Sequence, residues 1–139
     1  MGAGYLSWIA GGVFAAVLLE PASPGFSAAP QLDLRASEWG FRAETADPHR
    51  SVQFDGEGGV SGSGGCNRFA GSFVQQDDKL RIGKLMTTLI GCTPEIAQRE
   101  REFLNALSAA HHIEATHGVL KIYGEDGALL LDLIRRDWD

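Results

Sequence analysis

Two cysteines, Cys66 and Cys92, an arginine two residues past the first, Arg68, and a glutamate on an apolar helical stripe, Glu100, are the side chains here with the most chemistry to offer. A thiol beside a guanidinium or at a helix start has its pKa lowered and becomes a nucleophile. Cys66 lies close to Arg68, and Cys92 directly precedes Thr93-Pro94-Glu95, a helix start. The other chemistry open to the pair is a bridge. In an oxidising compartment two cysteines join, and a loop of about 26 residues closed this way gains about 3.5 kcal/mol in the chain-entropy model. With no C-x-x-C and no histidine near either cysteine in sequence, the bridge Cys66–Cys92 is the expectation for an exported chain.

Glu100 falls near the middle of the stripe formed by Ile96, Phe103, Leu104, Leu107 and Ala110 at 100° per residue. An unpaired buried carboxylate is strongly disfavoured, so Glu100 needs a partner, and Arg68 is the candidate. Such a buried ion pair either lines a ligand groove or fixes the glycine-rich turn against the helix. The second is expected, because pairs of this kind add little net stability yet are costly to break. His111, His112 and His117 have the ligand type for zinc, copper or nickel, but neighbours on a strand point to opposite faces, so no metal site and no cofactor are expected. Gly83-Lys84 lacks the upstream glycine of a P-loop, and Gly59-Val60-Ser61-Gly62-Ser63 lacks the last glycine of a nucleophile elbow. Nothing assembles a nucleophile, a base and an oxyanion site, and the chain is not expected to be an enzyme.

These residues must be positioned by a small fold. A chain of 139 residues is one domain, and its formal net charge of −6 argues against nucleic acid as a partner. Tyr5 to Leu19 is an uncharged apolar run, too short for a membrane span and suited to a signal-peptide core, with Ser27-Ala28-Ala29 as the cleavage site. Residues 1–29 are therefore expected as a signal peptide (or an uncleaved anchor), 30–36 as a linker and 37–139 as the domain. The chain has no cysteine before Cys66, so it is not expected to be a lipoprotein.

Trp39, Phe41 and Ala43 alternate with polar residues and predict a strand over Glu38–Glu44. Further strands are predicted at Ser51–Phe54, Val60–Gly62, Ser72–Gln75, Lys79–Ile82 and Leu85–Ile90, then His111–Ala115, Val119–Tyr123 and Ala128–Ile134. Between them Gly62 to Phe73 reads as a re-entrant turn, with Asn67 at a corner where it tolerates the left-handed region. One helix opens at Thr93-Pro94-Glu95, where Thr93 can cap and proline is tolerated at the first position. The fold class predicted is α+β: a small curled, barrel-like antiparallel sheet with one helix packed on it.

Gly65-Cys66-Asn67-Arg68-Phe69-Ala70-Gly71 resembles the G-C-N-R-F-x-G signature of META domains, which include the HslJ-type heat-shock proteins. Trp39, Val52-Gln53-Phe54-Asp55-Gly56, Leu80-Arg81-Ile82-Gly83, Thr87 to Cys92, and the helix with Glu100, Phe103 and Leu107 follow in the family's order. The resemblance implies a structural motif of Gly65, Asn67, Arg68, Phe69 and Gly71. It also implies a non-catalytic domain that is periplasmic or secreted (bacterial envelope), acting in envelope stress protection or drug resistance by binding or as a chaperone. Where HslJ-type members carry Thr-Arg-Met before the second cysteine, this chain has Thr88-Leu89-Ile90-Gly91, so functions tied to that arginine are not carried over. The alternative is a monomeric carrier of a small apolar ligand or lipid in a groove between helix and sheet. The expected partner is an envelope protein or that ligand, with membrane contact only through the N-terminal segment if it is uncleaved.

Overall fold

The structure is a computed structural model that describes residues 12, 31–44 and 49–137. The apolar run at residues 5–19 and the cleavage site lie outside the described residues. Strands β1 (Ser37–Gly40), β2 (Arg50–Phe54), β3 (Gly59–Gly64), β4 (Arg68–Gln76), β5 (Lys79–Ile82) and β6 (Met86–Thr87) precede helix α1 (Pro94–Ser108). Strands β7 (His112–Ala115), β8 (Val119–Tyr123) and β9 (Leu129–Arg135) follow it.

All pairings are antiparallel, and eight strands close on themselves in the order β3-β2-β1-β9-β8-β7-β5-β4, with β4 returning to β3. The fold is a closed, mostly β barrel. The predicted α+β class, a curled sheet with a helix packed on it, is wrong on both counts. The strands that α1 contacts most are β3, β9 and β5, which stand apart around the ring. A helix touching all three must cross a mouth of the barrel rather than lie on a face. Strand alternation reports which side chains face inward, but closure depends on strand order and register, which alternation leaves open.

The barrel interior follows from period-two patterning. Val52 and Phe54 on β2, Phe69 and Phe73 on β4, Leu80 and Ile82 on β5, and Leu120 and Ile122 on β8 are buried while their neighbours face out. Across the first mouth α1 inserts Phe103 and Leu107. Phe103 meets Phe41 and Phe69 edge to face, at centroid distances of 5.6 and 6.0 Å. Aromatic rings therefore pack between helix and strands, where the alternative reading places a ligand groove. Thr93 stands at the N-cap with extended backbone, but its side chain makes no capping bond; its carbonyl accepts from Ala97 at 2.9 Å.

Residues 31–36, expected as a linker, run across the second mouth. Gln75 on β4 donates to the Leu32 carbonyl at 2.9 Å and accepts from the Leu34 amide at 2.8 Å. The Gln31 carboxamide accepts from Ala115 on β7 at 2.9 Å. Leu34 is wholly buried, and the Leu34 carbonyl accepts from the Ser37 hydroxyl, which in turn accepts from the Trp39 indole at 2.7 Å. Leu34→Ala is expected to cost about 2–5 kcal/mol in urea unfolding, as for a core leucine. A loss within about 0.5 kcal/mol, the usual surface value, would show that this segment does not seal the barrel.

Candidate functional site

The glycine-rich stretch is mostly strand. Strand β3 runs through Gly64, β4 starts at Arg68, and only residues 65–67 turn between them, closed by the Gly64 amide donating to the Asn67 carbonyl at 2.8 Å. The left-handed residue of this corner is Gly65, with φ +106°, rather than Asn67. This leaves Asn67 free for side-chain work. It also points the Cys66 and Asn67 amides toward the helix.

Glu100 on α1 sits against them, buried. One carboxylate oxygen accepts from the Cys66 amide at 3.0 Å and the Asn67 amide at 2.6 Å. The other accepts from the Asn67 carboxamide at 2.8 Å. Successive backbone N–H groups form an anion-binding concavity, and here the anion is a side chain of the same protein. A Cβ on Gly64 would stand 2.5 Å from Glu100, so the glycine makes room for the carboxylate. Among the described residues the expected ion pair with Arg68 is absent. Arg68 opens β4 opposite Ser63 with its side chain in solvent, while Glu100 is satisfied by neutral donors. Three hydrogen bonds from amides compensate a buried carboxylate as a cation would.

Asn67 carries the hold outward. Its side-chain oxygen accepts from the Ile90 amide at 2.6 Å and the Thr88 hydroxyl at 3.0 Å, and its side-chain amide also donates to the Ile90 carbonyl at 3.4 Å. Arg68 and Thr88 add a backbone link, with the Thr88 amide donating to the Arg68 carbonyl at 3.0 Å. Cys66 and Cys92 are joined as a disulfide, with Cα atoms 6.2 Å apart, inside the usual range. The segment from Thr88 to Cys92 is thus fastened at both ends to one corner. Its large exposed side chains are apolar: Leu89 is 95% exposed and Ile90 62%, next to Met86 at 74%.

Of the other motif residues, Phe69 is in the core and Gly71 lies under the Lys84 carbonyl and the Leu85 side chain. A second polar cluster has no counterpart among the expected sites. Arg50 stacks on Phe41, 3.8 Å from the ring centroid, and Glu44 takes ion pairs from both Arg50 and the helix residue Arg99. Burial alone would raise the Glu44 pKa; the Arg50 hydrogen bonds and the two guanidinium charges outweigh it and hold the carboxyl below its ordinary value. Its stabilising contribution is present above the ordinary carboxylate range and is lost as pH falls through the lowered value. Among the described residues no group of three or more His, Cys, Asp or Glu could hold a metal; His112 pairs with Asp78 at 3.3 Å, while His111 and His117 are exposed.

The corner, the second cysteine and the helix glutamate lie within residues 33–137, which match the META domain family model. The chain belongs to the META domain family. No curated protein matches it. The fold is similar to an NMR structure of a protein from Burkholderia xenovorans, at TM-score 0.63 and 23% identity over 76% of this chain and 85% of that one. It is also similar to a DUF4847 family protein from Bacteroides vulgatus, at TM-score 0.52 and 19% identity over 65% of this chain and 61% of that one. A further NMR structure matches at TM-score 0.55 and 18% identity, over 74% and 90% of the two chains. At these identities the likeness concerns the fold alone.

In this META domain, Glu100→Gln keeps the volume but turns an amide group toward donors, and is expected to cost about 2–3 kcal/mol in chemical denaturation. Arg68→Ala is expected to stay within about 0.5 kcal/mol. Comparable losses of about 3–5 kcal/mol at both positions would restore the ion pair. No thiol should titrate with Ellman's reagent in the native, unreduced protein, and reduction should remove about 3.5 kcal/mol of stability.

Proposed function

We propose that this META domain is a non-enzymatic binding module of the bacterial envelope, protecting it under stress by presenting the apolar segment Thr88–Cys92. The carrying observation is that one corner holds this segment by a disulfide and by Asn67 while Leu89 and Ile90 stand in solvent. An apolar tip on a tethered loop is ready for a partner, because little conformational freedom is lost when it docks. The non-catalytic part of the reading is supported by the polar groups of the corner. Both Glu100 oxygens and the Asn67 carboxamide are engaged with one another and with backbone. A periplasmic or secreted location is proposed because the disulfide suits an oxidising compartment.

The expected outcome of Leu89→Ser/Ile90→Ser is unchanged thermal stability and loss of the protection the wild-type protein gives cells under envelope stress. Survival equal to wild type at equal protein level would overturn the reading. Recovery of the protein in the envelope fraction, identified by intact mass, also tests the proposed compartment.

A further inference from the structure

The outer face of β4, β5 and β6 has a composition at odds with the rest of the chain. Along β4 the outward positions are Arg68, Ala70, Ser72, Val74 and Gln76, all exposed. Register places Arg81 opposite Val74 and Met86 opposite Ala70, and residues directly opposite share a face. Lys84 is exposed in the link between β5 and β6, and the Leu89–Ile90 tip follows β6. Among the described residues Arg68, Arg81 and Lys84 take part in no ion pair, although the chain is acidic, with a formal net charge of −6. Elsewhere Arg35, Arg50, Arg99 and Arg135 are paired with carboxylates, whereas among the described residues Arg42, Lys79, Arg101, Lys121 and Arg136 are not. What marks this face is thus the absence of acids beside its cations. On the neighbouring strand β3 the outward residues are Ser61 and Ser63. The nearest acids along the chain are Asp77 and Asp78 at the far hairpin tip, where Asp78 is engaged by His112, and Glu95 at the helix start. Cations without a carboxylate partner therefore border three exposed apolar side chains, Met86, Leu89 and Ile90, and no acid stands among these strand positions.

We infer that this face docks on an anionic lipid bilayer. The inference rests on the reading of Thr88–Cys92 as a binding element and names its partner. Apolar side chains enter the boundary between headgroups and acyl chains, while guanidinium and ammonium groups meet headgroup phosphates. Charge complementarity favours this occupant over an apolar peptide: a peptide client needs the apolar tip but has no use for unpaired cations beside it. The net acidity of the remaining surface is repelled by the same bilayer, so one orientation is selected. Contact is made through the folded domain, in addition to any made by the N-terminal apolar run.

The test uses the full chain with vesicles of phosphatidylcholine alone or with about 30% phosphatidylglycerol, enough anionic lipid to give the surface a negative potential. In Leu89→Trp, read as the difference from wild type, the emission of the added indole should shift to the blue only with anionic vesicles; the N-terminal run contributes equally to both proteins and cancels. Arg81→Glu/Lys84→Glu should lower the preference for anionic over neutral vesicles about tenfold or more at low salt, with unchanged melting temperature. An unshifted difference emission in Leu89→Trp, or an unchanged lipid preference in the double variant, would sink the lipid proposal. The binding reading survives that failure if Leu89→Ser/Ile90→Ser still loses protection in cells, and it falls with the proposal if protection is kept.

Discussion

A buried carboxylate held by two consecutive backbone amides is the interaction on which the arrangement of this molecule depends. Glu100 joins the helix that crosses one barrel mouth to the corner between β3 and β4. Without it the Cys66 and Asn67 amides would be buried donors lacking acceptors, and a buried unsatisfied group costs more than a made hydrogen bond returns. The carboxylate also orients Asn67, whose other edge holds Thr88 and Ile90. Helix, corner and loop are thus parts of one polar network, and the disulfide clamps the same place covalently.

Around this network the barrel is sealed twice by different means. At one mouth Phe103 and Leu107 come from a regular helix whose apolar spacing is dictated by its own turn. At the other, an irregular segment fills the opening with Leu34 and is tied down by glutamine side chains, Gln31 and Gln75. Side-chain carboxamides suit this task because they supply both donor and acceptor to backbone groups outside the strand ladders. The interior between the two seals is occupied by residues from the strands themselves, as a barrel of eight strands allows.

Much of this is legible from residue order. Alternation locates the strands because each has one face in the core, and Thr93-Pro94-Glu95 locates the helix because its first turn tolerates proline and favours acid. Closure is not legible, since it requires β9 to lie between β1 and β8 and β4 to return to β3, facts of register rather than of local pattern. Leu34 falls inside the expected linker although Leu32 and Leu34 alternate with Gln31, Asp33 and Arg35, a period-two signal carried by only two leucines. The strand expected over Leu85–Ile90 shrinks to Met86–Thr87, as apolar composition alone cannot tell a buried run from a displayed one. The need of Glu100 for compensation follows from its place on the apolar stripe, and the structure meets that need. Its partners escape a reading of side chains because backbone amides leave no mark there, although a glycine-rich corner, able to turn its amides outward, is the available signal.

Strand β9 joins the two ends of the domain: Trp39 of β1 lies opposite Arg135, and Leu120 of β8 opposite Leu133. The ring therefore lacks a stave until nearly the whole domain has been made. Until then the hairpins of the first half have an uncovered inner surface and an unfilled slot beside β1. Such contacts, distant along the chain, are gained late and slowly. An incomplete barrel of this kind exposes apolar surface and unpaired strand edges, the features that make partly folded chains prone to aggregate.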